Sequence, residues 1–184
     1  MAEERQQRQP RRPRQQGRGP RPGAEIGPGG EVLEDSVIKI DRYAKVVKGG
    51  RRFSFGALVV VGDRRGRVGL GYGKANEVPL AVEKGISDAK KHLTPVNLLG
   101  RTIPHVVKGH CGSSRVILVP ASDGTGVIAG KMLRPLLELA GIGNVLTKAY
   151  GSTTPRNLLK AGMDALNRLR SAETVGVLRG VSIR

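Results

Sequence analysis

The chain has 184 residues and a formal net charge of +17, so it is long enough for one large or two small domains and should bind a polyanion, either a nucleic acid or an acidic membrane surface. It contains no run of about 20 apolar residues, and no signal peptide is recognised. Its single cysteine, Cys111, excludes an intrachain disulfide. Together these observations predict a cytosolic protein. Aromatic residues make up only 3% of the chain, which disfavours stacking on unpaired bases and favours recognition of nucleic-acid backbone and shape.

The first 33 residues form a basic, low-complexity segment. They are rich in Arg, Gln, Pro and Gly and show no hydrophobic periodicity. Such a segment cannot bury enough apolar surface to offset the entropy lost on ordering, so residues 1–33 are predicted to be a disordered basic tail. Two roles stay open for this tail: it follows an RNA chain, or it only raises solubility.

Three short strands are predicted between residues 39 and 74. The first lies around Tyr43–Val47 and ends at Gly49-Gly50, a pair expected to supply the positive φ of a tight hairpin turn. The second runs over Phe53–Val61, and period-2 alternation predicts one shared face, made of Phe53, Phe55, Ala57, Val59 and Val61. Asp63–Gly66 then turns the chain into a third strand, Arg67–Tyr72.

The third strand carries a glycine at every second position, at Gly69, Gly71 and Gly73. The opposite side of the same strand is apolar. Because glycines weaken a strand, their recurrence on one side predicts that another backbone comes close to it there.

Basic residues gather at the two turns that join these strands, and the two turns are expected to be neighbours. These residues are Lys48, Arg51, Arg52, Arg64, Arg65 and Arg67. One interpretation is a solvated hairpin edge whose charges discourage aggregation. Only Asp41 and Asp63 offset these cations, however, so contacts with nucleic-acid phosphates are favoured.

A helix is predicted after the third strand. Asn76 can cap it, and Pro79 falls in its first turn, where a missing N–H does no harm. The apolar stripe of this helix, which should lie on the sheet, consists of Val78, Val82, Ile86, Ala89 and Leu93. Residues 35–95 are therefore predicted to be a βββα unit with two layers and a basic rim.

Alternation returns after residue 96 and predicts a second unit of order β-β-β-α-β-α. Its strands are expected at Asn97–Leu99, Thr102–Val107, Arg115–Val119 and Asn144–Tyr150. A last helix should begin at Thr154-Pro155 and bury Leu158, Leu159, Met163, Leu166 and Leu169.

The first helix of this second unit should follow Gly124-Thr125-Gly126. Its expected buried face consists of Ile128, Met132, Leu136, Leu139 and Ala140. Pro135 would cost the interior of a helix roughly 3 kcal/mol. Either the helix begins late enough to place Pro135 in its first turn, or it bends there.

No active site is predicted. Gly124-Thr125-Gly126 with Gly130 approaches a dinucleotide fingerprint, but the spacing is one residue too long and no acidic residue follows at the ribose position. These glycines are instead expected to form an anion-accepting turn at a helix N-terminus, or simply a tight turn. A structural zinc site needs four ligands, and beside His105, His110 and Cys111 only His92 is left to offer. No partner that the sequence points to orients the thiol as a nucleophile. No cofactor and no metal are expected.

Short motifs spread over both halves occur in the order of a known family. They are Val47–Arg51, Phe53–Phe55, Val60–Asp63, Gly66–Gly69, Gly71–Lys74, Glu77–Pro79, Pro120–Ser122, Gly124–Gly126 and Ala149–Thr153. Each motif is weak alone, but in this order they are specific. Over about residues 35–170 the chain resembles the bacterial-type small-subunit ribosomal protein number five.

The resemblance implies an α+β fold of two small two-layer domains. Residues 34–97 should form a double-stranded-RNA-binding-like domain without its first helix, and residues 98–170 an α/β domain with a left-handed βαβ crossover. Residues 1–33 and 171–184 are left as basic tails. The first is longer and the second shorter than is usual in the family, so contacts made by these ends do not transfer.

The resemblance also implies a structural, non-enzymatic protein that binds small-subunit rRNA, supports assembly and influences decoding accuracy. It places the chain in the cytoplasm, beside ribosomal proteins four and eight, near the mRNA entry side and the head hinge, with no membrane contact. The loop Val47–Arg51 should approach the head hinge, where spectinomycin binds rRNA. The expected rRNA-binding residues are Lys45, Lys48, Gly49, Gly50, Arg51, Arg52, Arg64, Arg65, Arg67, Lys74, Arg115, Gly124, Thr125 and Gly126.

A second class of function stays open, namely a stand-alone RNA-binding or RNA-acting module outside the ribosome. Such a module could be an enzyme that uses the turn at Gly124. Co-sedimentation with small subunits through a high-salt wash separates the two classes, because only a ribosomal constituent should stay bound.

Overall fold

The computed structural model describes residues 25–26 and 32–181, which form two sheets and four helices. The first half consists of β1 Glu25–Ile26, β2 Val32–Val47, β3 Gly50–Gly62, β4 Arg67–Ala75, α1 Val78–Lys91 and β5 Thr94–Pro95. The five strands lie in chain order across one antiparallel sheet. Within the described residues, no helix is long and apolar enough to cross a membrane.

The strand β2 begins at Val32, well before the predicted start near Tyr43. A β-bulge between Val37 and Lys39 interrupts the pairing with β3, and the bulge hides the period-2 pattern from the sequence. Leu33 is buried in the core under α1, and β1 pairs with this end of β2. The predicted disordered tail therefore extends too far at its C-terminal end, while residues 1–24 and 27–31 lie outside the described residues.

The helix α1 packs closely on β4 because both elements contribute small residues. The buried residues of α1 are Ala81, Gly85 and Ala89. A Cβ added to Gly69, Gly71 or Gly73 would overlap backbone atoms of this helix. The predicted approach of a second backbone is confirmed, and that backbone belongs to α1.

The N-terminus of α1 differs from the prediction in one respect. Its N-cap is Glu77, which makes no side-chain capping bond, whereas the Asn76 Oδ1 atom accepts a hydrogen bond from Ser54 Oγ at 3.4 Å. Asn76 is therefore not the cap, because its side chain is directed to β3. Pro79 lies in the first turn, as predicted.

The strand β3 is buried on both faces from Gly56 to Gly62. Ala57, Val59 and Val61 share a core with α1, which confirms the predicted face. Leu58 and Val60 belong to a second core that continues into the second half of the chain. Burial on both faces explains why this strand is apolar almost without interruption.

The second half consists of β6 Val107–Cys111, β7 Ser114–Pro120, β8 Val127–Ile128, α2 Leu133–Leu139, β9 Val145–Gly151, α3 Pro155–Asn167 and α4 Ala172–Arg179. Its sheet has the order β6-β7-β9-β8. β8 and β9 are parallel and α2 connects them, which forms the βαβ unit of the fold. The other strand pairs are antiparallel.

Two strands predicted in this half are wrong. In the region assigned to Asn97–Leu99 and Thr102–Val107, one isolated bridge forms from Leu99 to Thr102, and only Val107 belongs to a strand, as the first residue of β6. Ile103 is fully buried in this irregular connection. Its apolar residues therefore reflect burial under the core and not strand pairing.

The helix α2 begins at Leu133, which places Pro135 in its first turn. The late start is therefore the correct alternative of the two that the sequence left open. Ile128 does not belong to the buried face of the helix, because it lies in β8 and is half-exposed.

The segment after α3 is helical and not an irregular tail. The hydroxyl of Ser171 caps α4 by accepting a hydrogen bond from the backbone N–H of Thr174 at 3.2 Å. Gly180 ends the helix with a φ of 65°. Residues 182–184 lie outside the described part of the chain.

The two halves are joined by a continuous core and by backbone hydrogen bonds. The N–H of Arg64 donates to the carbonyl of Leu139 at 2.9 Å, and the N–H of Gly66 donates to the carbonyl of Ala140 at 3.1 Å. A Cβ on Gly62 would overlap Leu139. The turn between β3 and β4 is thus held against the end of α2.

Candidate nucleic-acid interface

The two basic turns lie at opposite ends of the first sheet. One joins β2 to β3 at Lys48-Gly49, and the other joins β3 to β4 at Asp63–Gly66. The 13 residues of β3 separate them by about 40 Å at roughly 3.3 Å per residue. The prediction that the turns are neighbours is therefore wrong, because consecutive turns of an antiparallel sheet alternate between its two ends.

The first turn is the tip of a projecting two-stranded ribbon. β4 pairs with β3 only from Phe55 onwards, so residues 44–54 of β2 and β3 have no third strand beside them in the described part of the chain. We call residues 44–54 the hairpin arm. Gly49 has a φ of 97°, whereas Gly50 is an ordinary strand residue, so only one glycine of the pair supplies the turn. A Cβ at either glycine would meet nothing within 4 Å, which leaves the tip open to another molecule.

Cations stand on both faces of the hairpin arm. Lys45 is opposite Arg52 on one face, and Val46 is opposite Arg51 on the other. These residues and Lys48 are exposed, and none of the four cations pairs with a carboxylate among the described residues. The arm therefore carries four positive charges that the described structure leaves uncompensated.

Asp41, the acidic residue that precedes the arm on β2, does not neutralise the arm. Asp41 forms an ion pair with Lys39 at 2.8 Å, further back on β2. At the base of the arm the guanidinium of Arg42 lies 4.8 Å from the ring centre of Phe53. Phe53 is 47% exposed, so an apolar surface accompanies the charges.

Lys74 lies beside the base of the hairpin arm. Its Nζ atom is 5.4 Å from the ring centre of Tyr43 and 5.8 Å from that of Tyr72, and the two tyrosine hydroxyls are hydrogen-bonded to each other. The guanidinium of Arg156 lies 4.5 Å from the Tyr72 ring. The aromatic pair thus holds two cations in fixed positions.

Two of the three arginines at the second basic turn form ion pairs within the protein. Arg67 Nε lies 2.8 Å from Asp63 Oδ2, and the Asp63 carboxylate also accepts the backbone N–H groups of Arg65 and Arg67, at 2.7 and 3.0 Å. Arg64 pairs with Glu34 at 2.8 Å. Of the three turn arginines, Arg65 alone has no described ion pair. The sequence could not show the pairing of Arg64 with Glu34, because Glu34 is brought in by β2.

The glycines of Gly124-Thr125-Gly126 form a tight turn that does not begin a helix. Gly124 and Gly126 have φ values of 92° and 75°, and the chain continues into β8. The N–H of Gly126 donates to the Asn144 Oδ1 atom at 2.9 Å, and that of Thr125 donates to Ser122 at 3.3 Å. The prediction of an anion-accepting turn at a helix N-terminus is therefore wrong, because α2 starts later and two N–H groups of the turn already have acceptors. The other alternative, a simple tight turn, is the one observed.

Arg115 lies on the open face of the second sheet, between His110 and Tyr150 on the neighbouring strands. Among the described residues no helix covers this face, because α3 packs on the other face of the sheet, against Gly109 and Val116. Lys108 and Lys148 are the cross-strand partners of Ile117, which lies two residues after Arg115 on β7. Both lysines are also exposed. These two lysines were not predicted from the sequence, although polar alternation along each strand was a signal for them.

A cleft lies where the second basic turn meets the second half of the chain. Its volume is about 520 Å³, and it is lined by Arg64, Arg101, Thr125, Gly126, Val127, Arg134, Glu138, Gly141, Ile142 and Gly143. We call it the interdomain cleft. It brings together two parts of the predicted site that are far apart in sequence. Arg101 and Arg134 were not predicted, since neither lies in a basic run.

Neither a metal cluster nor a disulfide is found among the described residues. They contain no group of three or more His, Cys, Asp or Glu side chains able to hold a metal ion. His105 is used structurally: its Nε2 atom accepts the N–H of Arg170 at 3.1 Å, and its Nδ1 atom lies 3.0 Å from the carbonyl of Val106. The thiol of Cys111 is free and half-buried.

Comparison with known proteins supports both halves of the resemblance. A family model described as the N-terminal domain of ribosomal protein S5 matches residues 33–97, and one described as its C-terminal domain matches residues 109–179. Small ribosomal subunit protein uS5 of Rubrobacter xylanophilus is 55% identical over 167 residues, which are 91% of this chain and 82% of that protein. The uS5 protein of Syntrophobacter fumaroxidans is 57% identical over 148 residues, which are 80% of this chain and 89% of that protein. The chain therefore belongs to the ribosomal protein S5 family and is a structural, rRNA-binding and non-enzymatic component of the small ribosomal subunit.

Proposed function

We propose that the hairpin arm anchors this chain to small-subunit rRNA through phosphate contacts of Lys45, Lys48, Arg51 and Arg52. The observation that carries the proposal is that these four exposed cations have no carboxylate partner in the described part of the chain. They stand on a ribbon that projects beyond the third strand of the sheet. Compensating charge must then come from another molecule, and RNA phosphates supply it.

Further rRNA contacts are proposed for Arg65, Lys74, Arg115, Gly124, Thr125 and Gly126. Arg65 has no described ion pair, and Lys74 and Arg115 are exposed. Arg64 and Arg67 are weaker candidates for phosphate contacts, because each already pairs with a carboxylate. The glycines of the hairpin tip, Gly49 and Gly50, contribute by allowing close approach and not by charge.

The position in the subunit is proposed from membership of the family. It places the chain in the cytoplasm, beside ribosomal proteins four and eight, near the mRNA entry side and the hinge of the subunit head. There it would support assembly and influence decoding accuracy. Residues 34–97 and 98–170 are proposed as its two structural units, because each half has its own sheet, and β2 extends the first unit back to Val32.

The tip of the hairpin arm is proposed to lie at the head hinge, where spectinomycin binds rRNA. Gly49→Asp tests this, since it adds a side chain and an anion at the tip. Asp tolerates a positive φ better than most residues, and a Cβ at Gly49 would meet nothing within 4 Å, so the fold should survive. Cells carrying only this variant should grow with reduced spectinomycin sensitivity.

Gly180→Asp is the matched control. Gly180 also has a positive φ, at 65°, and open space around its Cβ position, but it lies at the end of α4. Cells with this variant should keep the sensitivity of the wild type. The placement of the tip is wrong if purified subunits contain the Gly49→Asp protein and drug sensitivity is unchanged.

A further inference from the structure

The interdomain cleft is lined by three arginines from three separate segments. Arg64 lies in the turn between β3 and β4, Arg101 in the connection before β6, and Arg134 on α2. They are far apart in sequence and meet only because the turn is docked on the second half of the chain. Such convergence in a concave surface is typical of an anion site.

Backbone hydrogen bonds fix the walls of the cleft. The carbonyl of Arg101 accepts the N–H groups of Gly143 and Asn144, at 2.8 and 3.0 Å. On the opposite wall, the N–H of Arg64 donates to Leu139 at 2.9 Å. The main-chain positions of both arginines are thus set before any ligand binds, which lowers the entropy cost of binding.

The charges in the cleft are not balanced. Glu138 is the only carboxylate among its lining residues, and it forms no ion pair with Arg134, one turn away on α2. Arg64 pairs with Glu34, which lies outside the lining. No described carboxylate pairs with Arg101 or Arg134, so these two side chains are available to an anion.

We propose that the interdomain cleft binds phosphate groups of an RNA backbone, with Arg101 and Arg134 as the principal ligands. The planar fork of a guanidinium matches two phosphate oxygens at once. No aromatic side chain lines the cleft, so it offers no stacking surface for a base, whereas Gly126, whose Cβ position has nothing within 4 Å, leaves room for a sugar–phosphate chain. The site rests on the rRNA binding of the family and is independent of the hairpin arm.

Salt-dependent binding to small-subunit rRNA tests the proposal with the full-length chain. Replacing one phosphate-binding arginine should make the slope of log K against log salt less negative by about 0.7–0.9 and weaken the Kd about four- to fivefold at 0.15 M salt. Arg101→Ala and Arg134→Ala should each show this change, and the double variant about twice the change in slope. The control is the double variant Arg170→Ala, Arg179→Ala, which removes two exposed charges outside the cleft and should leave most of the slope intact.

Two further measurements separate the possible outcomes. Phenylglyoxal modification mapped by mass spectrometry should show Arg101 and Arg134 protected in the rRNA complex. Competition with pyrophosphate distinguishes a backbone phosphate from a free one. Displacement of bound pyrophosphate by rRNA supports the proposal. If pyrophosphate binds but the arginine variants keep the wild-type slope of log K against log salt for rRNA binding, the proposal is overturned. An unchanged slope in a double variant with wild-type Tm also overturns it, whatever the hairpin-arm variants show.

Discussion

Two arginines of the first sheet should respond differently to the same substitution, Arg→Ala. Arg52 stands on the hairpin arm without a described carboxylate partner, whereas Arg67 is bound to the Asp63 carboxylate at 2.8 Å. Both changes remove one positive charge from the chain. Their physical consequences differ because only one of the two charges is compensated within the protein.

The magnitudes follow from these surroundings. Arg52→Ala should remove one phosphate contact, which makes the salt slope of rRNA binding less negative by about 0.7–0.9. Arg67→Ala should instead deprive Asp63, whose side chain is 3% exposed, of its charged partner. A charged hydrogen bond contributes about 1.5–3 kcal/mol, and since Arg67 is 41% exposed we expect a loss of about 1–2 kcal/mol. This corresponds to a Tm lower by roughly 2–8 °C.

The assay pairs a salt titration of rRNA binding with thermal unfolding followed by circular dichroism. Lys84→Ala, on the exposed side of α1, controls for the loss of one charge and should change neither quantity strongly. Arg52→Ala should make the salt slope less negative and leave the Tm unchanged. Arg67→Ala should lower the Tm and leave the slope unchanged. The reasoning is refuted if Arg67→Ala reduces the slope as much as Arg52→Ala while its Tm equals that of the wild type.

Two stability predictions follow from the core. Leu33→Ala should cost about 2–5 kcal/mol in urea unfolding because Leu33 is 3% exposed, while Val32→Ala, at a position 53% exposed, should cost far less; equal losses would mean that the start of β2 does not pack. Gly71→Ala should cost about 1–3 kcal/mol or more, since its Cβ would overlap the α1 backbone, and Gly130→Ala, with open space, should be nearly neutral. A stable Gly71→Ala protein would contradict the close packing of α1 on β4.

Local signals were sufficient for most elements of the fold. The alternating glycines of β4 predicted the close approach of α1 because only a residue without Cβ permits that distance. Pro135 restricted α2 to two possible starting points, one of which is observed. Both are steric rules that act within a few residues, so they can be applied to a sequence alone.

The missed features depend on distant parts of the chain. The bulge at Val37–Lys39 concealed the first half of β2, because it breaks the period on which strand prediction relies. The pairing of Arg64 with Glu34 and the meeting of Arg101 with Arg134 require the tertiary fold. Counting charges along the sequence therefore overestimated the positive charge that the second basic turn offers to RNA. It also overlooked the interdomain cleft beside that turn.

The burial of β3 on both faces has a mechanical consequence. From Gly56 to Gly62 the strand is clamped between α1 and the second half, so it cannot bend or slide without opening both cores. The clamped residues fix the direction in which β3 leaves the two cores, whereas the hairpin arm continues beyond them and is held by neither core. An RNA segment at the hairpin tip and another at the interdomain cleft would therefore be separated by at most about 40 Å, at roughly 3.3 Å for each residue of the strand.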